Sequence, residues 1–179
     1  MKDLSLHILD IVQNSIAAGA SLVEVDIDEA LASNTLEIAV ADNGRGMSAE
    51  VLDQVSDPYF TSRKTRKVGL GIPLLKQNAQ QTGGKLHIES SPGKGTRLMA
   101  LFVHDHIDRP SLGDIPGVIS MLCGANPGLE FVYSHRIDDR VYRFDTREVK
   151  EALDGVPLSE PGVIRLIREM IKENLINIQ

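Results

Sequence analysis

An early change of hydrophobic period constrains this chain most. Leu4, Ile8, Val12 and Ile16 recur every four residues, with Leu9 and Ile11 widening the stripe. That is the pattern of an amphipathic helix. Beyond Gly19, a natural stop, Val23, Val25 and Ile27 alternate with Glu24, Asp26 and Asp28. A period of two marks a half-buried strand. Ala32-Ser33-Asn34 turns the chain, and Leu36, Ile38 and Val40 alternate again. The two strands are expected to pair as a hairpin.

Asp42-Asn43-Gly44-Arg45-Gly46 ends the second strand, and Ser48 is placed to cap a short helix through about Val55. Residues 57–69 show no period; with Pro58, Thr61, Ser62 and the cations Arg63, Lys64, Arg66 and Lys67, they read as a polar loop. A helix is expected from about Leu70 to Thr82, with Pro73 in its first turn and Gly83-Gly84 at its end. Leu86 and Ile88 mark a strand, Pro92-Gly93-Lys94-Gly95 a turn, and Thr96–Val103 another strand. His104–Pro116 reads as a linker. Helix, strand, strand, helix and helix follow, with Leu129–Ser134 and Arg140–Phe144 flanking a hairpin turn at Ile137-Asp138-Asp139. Asp145 and Glu148 have capping-box spacing. The last helix is amphipathic, with Val163, Ile164, Ile167, Met170, Ile171 and Leu175 on one side.

Composition narrows the function classes. At 179 residues the chain is one domain, or one plus a small appendage. A net charge of −6 argues against nucleic acid as the main partner, and 4% aromatics against stacking platforms for single strands. The single cysteine, Cys123, excludes an intrachain disulfide and fits a cytoplasmic location. No apolar run approaches the ~20 residues of a membrane helix, and the polar N-terminus is unlike a signal peptide.

Three stretches carry candidate chemistry. Asp10 and Asn14 lie four apart on the first helix and share a face offset from its apolar stripe. A carboxylate beside an amide oxygen suits magnesium and an oriented water, although a solvated helix face is the simpler reading of the pair alone. The glycines of Asp42-Asn43-Gly44-Arg45-Gly46 allow close approach of a planar ligand, and Asp42 can accept from an exocyclic amine; a plain tight turn has equal standing. Gly69-Leu70-Gly71 precedes a helix, whose free N–H groups favour phosphate oxygens, though Gly-x-Gly alone is often punctuation. It is neither a Walker A loop nor a Rossmann fingerprint, because no Gly-Lys-Ser/Thr follows and no strand precedes. His7 reads as a packing or surface residue, Cys123 as a buried inert thiol, and His104, Asp105, His106 and Asp108 as linker polarity rather than a metal site.

In this order and spacing the segments resemble one family. Asp10-Ile-Val-Gln-Asn14-Ser15-Ile16-Ala17-Ala18-Gly19-Ala20 resembles the asparagine box of the GHKL (Bergerat-fold) ATPases, which include gyrase B, the ninety-kilodalton heat-shock chaperone, histidine kinases and MutL. Asp42-Asn43-Gly44-Arg45-Gly46-Met47 is similar to their first glycine box, and Asp57-Pro58-Tyr59-Phe60-Thr61-Ser62-Arg63-Lys64 to the phenylalanine box of histidine kinases. Gly69-Leu70-Gly71-Ile72 resembles the second glycine box, and residues 84–96 the kinase ending. The resemblance covers about residues 4–103.

It implies an α+β fold: a two-layer α/β sandwich with helices over one face of a mixed, largely antiparallel sheet, and ATP bound with magnesium. By position, Asn14 would ligate magnesium, Asp42 would accept from the adenine amine, and Gly46 would let backbone approach the base. Gly69 and Gly71 would offer N–H groups to the phosphates, and Thr96 would complete the adenine network. Gly44, Met47, Phe60, Lys64 and Leu70 join the nucleotide-binding set through the same boxes. Asp10 stands where many members have a water-activating glutamate; being one methylene shorter, it puts hydrolysis in doubt more than binding. Ala17 stands where the MutL-like box has aspartate.

The expected organisation is an ATP-binding domain over 1–104 and a small α+β unit over 105–179 that docks a protein partner. With the asparagine box starting at residue 10, no hairpin carrying a phospho-accepting histidine is expected upstream. The expected function is a stand-alone kinase-like or ATPase subunit acting on a protein partner. An ATP-driven conformational switch and a non-catalytic nucleotide-binding module are the alternatives.

Overall fold

The structure, a computed structural model, describes residues 3–55 and 71–179. Helix α1 runs Leu4–Ala17, and the Asp3 carboxylate caps it by accepting from the Leu6 N–H. Gly19, at φ +75°, turns the chain out of the helix. Strands β1 (Leu22–Ala30) and β2 (Thr35–Asp42) form the expected antiparallel hairpin, with Val25 opposite Val40. Ser48 caps a short helix α2 (Ala49–Gln54). Helix α3 spans Gly71–Gln81, and β3 (Lys85–Ser91) and β4 (Gly95–Val103) follow.

The segment beyond residue 104 continues as α4 (Ile115–Ala125), β5 (Glu130–Ile137), β6 (Arg140–Asp145), α5 (Thr146–Ala152) and α6 (Pro161–Ile178). Its strands join the first four in one six-stranded sheet, ordered β3-β4-β2-β1-β5-β6. Strand β5 pairs with β1 in parallel from Leu22↔Glu130 to Glu29↔Ile137, and the other pairings are antiparallel. The sheet is therefore mixed and largely antiparallel, as the resemblance implied.

One face of β1 carries Val23, Val25 and Ile27, all buried; the other carries exposed Glu24 and Asp26. Period-two alternation produces this split, and α1, α3, α4 and α6 cover the apolar side. The core runs without interruption from Leu4, Ile8 and Val12 through Leu36, Ile38 and Phe102 to Ile119, Phe131, Tyr133, Ile167 and Ile171.

Two details depart from expectation, and two buried residues agree with it. The stretch read as a linker is fastened to α1: Leu4 N–H donates to the Ser111 carbonyl and Ser5 N–H to that of Leu112, both at 2.9 Å. The Asp145 carboxylate caps α5 through the Arg147 N–H, while Glu148 pairs with Arg143 at 3.1 Å, so the capping box is half made. Arg147 hydrogen bonds hold the Asp145 carboxyl well below the usual range. His7 is 1% exposed, a packing residue. Cys123 is buried, and burial pushes its thiol up to about 12.

Candidate nucleotide site

Asp42 ends β2, beside the C-terminal end of α1. Its Oδ2 accepts from the Ser15 hydroxyl at 2.6 Å, and its Oδ1 from the Gly44 N–H at 2.8 Å. Both carboxylate oxygens are thus fixed, and each keeps acceptor capacity for an incoming amine. Asn43 ties the same loop to the start of β1. Its side-chain oxygen accepts from the Ser21 and Leu22 N–H groups, each at 2.9 Å.

Gly46 and Gly95 make this corner possible. Gly46 has φ +66°, and a Cβ there would collide with the Ser91 carbonyl. Gly95 has φ +85°, and a Cβ there would strike the Asp42 carbonyl. Gly46 is also required by packing, because the loop after β2 presses on the β3–β4 turn. The Gly93 N–H donates to the Arg45 carbonyl at 2.7 Å across that contact. Thr96 lies opposite Asp42 in the β2–β4 ladder, and its hydroxyl is 2.9 Å from that of Ser90. The Met47 N–H donates to the same Ser90 oxygen at 2.8 Å. Asp42, Gly44, Gly46, Met47 and Thr96 therefore converge on one corner. Ser15, Ser90 and Asn43 fasten it without having been singled out; Ser15 and Asn43 lie within the boxes and Ser90 within the kinase-like ending.

Asp10 stands a turn and a half before Ser15 on α1, about 7.5 Å along the axis at 1.5 Å per residue. Its carboxylate lies against Gly71, the first residue of α3, where a Cβ would overlap Oδ2. A carboxylate at a helix N-terminus is electrostatically favourable. Asn14, partly buried, lies between these two ends of the site. An amide oxygen and a carboxylate one turn apart form an oxygen-only donor set, which fits magnesium held jointly with phosphate oxygens. Phe60, Lys64, Gly69 and Leu70 lie outside the described residues. His104 and Asp105, read as linker polarity, bond instead to Glu29 at 2.8 Å and Asn34 at 2.7 Å.

The sheet and helices form an α+β sandwich with one carboxylate fixed at the end of β2 and a second against the start of α3. The family profile described as "Histidine kinase-, DNA gyrase B-, and HSP90-like ATPase" matches residues 2–106, and the chain belongs to that family of ATP-binding domains. It is 43% identical over 60 residues to the sensor histidine kinase ZraS of Klebsiella oxytoca, which covers 34% of this chain and 13% of that protein. It is 35% identical over 88 residues to sporulation kinase C of Bacillus subtilis, covering 49% of this chain and 20% of that one. The chain thus spans a fifth or less of these curated relatives.

Among solved structures, the Aquifex aeolicus MutL ATPase domain complexed with ADP superposes with a TM-score of 0.52 at 16% identity. The match covers 86% of this chain and 70% of that one. The N-terminal domain of a DNA repair protein gives 0.61 at 16% identity, covering 80% and 52%. These matches extend past residue 106 and establish the shared fold. Among the described residues, no helix is long and apolar enough to cross a membrane.

Proposed function

We propose that the chain binds ATP with magnesium and acts as a kinase-like or ATPase subunit on a protein partner. The observation that carries this reading is the placing of two carboxylates by different elements, Asp42 at the end of β2 and Asp10 on α1. Asp42, locked by Ser15 and Gly44, is set to accept from the adenine amine, while Asp10 stands against the start of α3. Ser15, which holds Asp42, and Asp10 lie about 7.5 Å apart along α1, so the base and the phosphates would lie toward opposite ends of the helix. Thr96 joins Asp42 at the base end, and Gly71 offers helix-start N–H character at the phosphate end. Asn14 would hold magnesium, which when bound neutralises phosphate charge. Asp10 takes a proton from the attacking group, which is water in an ATPase and a protein side chain in a kinase.

Replacing Asp10 by Asn tests this assignment. The expected result is loss of ATP turnover with ATP affinity unchanged; turnover at the wild-type rate would remove Asp10 from the chemistry. The partner is proposed to engage the part of the molecule formed by residues 105–179, which the family profile leaves almost wholly uncovered.

A further inference from the structure

His7 lies one turn before Asp10 on α1 and is 1% exposed. It is a polar ring in an otherwise apolar joint, where Leu4, Ile8 and Ile11 of α1 meet Leu75 and Ala79 of α3. Its Nε2 lies 3.0 Å from the Asn78 side-chain nitrogen. Its Nδ1 is buried and makes no well-aligned hydrogen bond among the described residues, while the Gly71 backbone lies close enough to act on the ring as a hydrogen-bond partner. Burial, the largest influence, lowers its pKa, and the hydrogen bond with the Gly71 backbone works in the opposite direction. With the Asn78 amide donating to Nε2, the ring proton is on Nδ1.

A leucine would fill this volume without any buried polar atom to satisfy. An imidazole brings direction instead: it bonds to one place on α3. That place is two turns along from Gly71, whose Cα is pressed against the Asp10 carboxylate with no room for a methyl group. Apolar packing between helices fixes their separation but allows small slides along the axis. A bond from His7 to Asn78 removes that freedom, and the Asp10–Gly71 contact leaves no slack for it.

We propose that His7 is a positioning residue of the nucleotide site, which through Asn78 fixes the register of α3 on α1 and so the placement of the α3 start against Asp10. This deepens the reading of that end of the site as the phosphate end, and rests on it. The adenine end, held by Ser15, Gly44 and Thr96, does not pass through His7.

The test compares adenosine and ATP-magnesium affinities by calorimetry in the full chain, for wild type, His7→Phe, His7→Gln, Asn78→Ala and the double variant His7→Phe/Asn78→Ala. Phe keeps the volume without the bond; Gln restores an amide able to reach Asn78. The expected result is a fall of about tenfold in the ratio of ATP to adenosine affinity in His7→Phe and in Asn78→Ala, the scale of one hydrogen bond. His7→Gln should retain the ratio, and the double variant should be no worse than either single one. Should His7→Phe fail to fold, Asn78→Ala against His7→Gln carries the comparison.

An unchanged ratio overturns the proposal, as does a parallel loss of both affinities, which is what a merely structural role would give. Wild type that binds adenosine but gains nothing from the phosphates would instead overturn the reading of the phosphate end, and His7's role with it. Wild type that binds neither ligand would overturn nucleotide binding altogether, again taking the proposal with it.

Discussion

Ending the chain at residue 104 would keep every family box and remove β5, β6, α4, α5 and α6. The structure predicts that this fragment does not fold. Strand β1 would lose its partner along eight residues, from Leu22 to Glu29, and become an exposed edge in the middle of a former sheet. The core would lose Ile119, Phe131, Tyr133, Ile167 and Ile171, each at most 1% exposed. Their neighbours on the remaining face include Val23, Val25 and Ile27, as well as Leu9 and Ile16 of α1, which share a cavity wall with Met121 and Leu122. Uncovering the equivalent of four fully buried side chains, at roughly 1.5–3 kcal/mol each, costs about 6–12 kcal/mol. That is comparable to the entire stability of a domain, about 5–15 kcal/mol. Gel filtration and circular-dichroism melting of the two chain lengths make the comparison. The fragment is expected to aggregate or to lack a cooperative transition. A monomeric fragment melting within a few degrees of the full chain would refute the claim that one core runs through residue 104.

Two further predictions concern the site and its pH dependence. Ser15→Ala removes a 2.6 Å bond to a carboxylate. Bonds to charged groups contribute about 1.5–3 kcal/mol, and the half-buried Asp42 recovers part of this from water, so ATP affinity should fall about tenfold; calorimetry showing no change would remove Ser15 from the account. Stability should decline with acid in two windows. The folded chain resists protonating His7, whose pKa is lowered from 6.5 mainly by burial, so its contribution is complete above about pH 6.5 and falls below it. Glu29 is held below 4.5, mainly by the His135 hydrogen bond against the opposing effect of burial and with help from His104, so its contribution is present above that value and lost as pH falls through its lower folded value. Denaturant melts across this range should show His7→Phe flattening the first decline and Glu29→Gln the second; variants with the wild-type profile would contradict the assignment.

Much of this was legible because it is local. The four-residue stripe of α1, the two-residue alternation of β1 and β2, and the glycines after Asp42 each report on a few neighbouring residues. The same periodicity places Asp10 and Asn14 on α1, Asp42 at the end of β2 and Thr96 on β4. What stayed hidden depends on pairing between distant segments. Nothing in Glu130–Ile137 announces that it lies parallel to β1, since register between strands so far apart is set by the assembled core. The clamp of Ser15 on Asp42 joins residues 27 apart and exists only once α1 has packed on the sheet. The packing need at Gly46 is likewise hidden, since the Ser91 carbonyl it accommodates belongs to a turn much further along the chain. Glu29, set between His104 and His135 at 2.8 and 2.7 Å, draws its partners from two other segments that no periodicity connects.

The central claim is that Asp42 is the base-recognising group of an ATP site. Calorimetric titration of the full chain with ATP and magnesium, for wild type and Asp42→Asn, tests it most directly. The account predicts saturable, magnesium-dependent binding by wild type and its loss in the variant. Equal binding by both chains, or none by either, would contradict it.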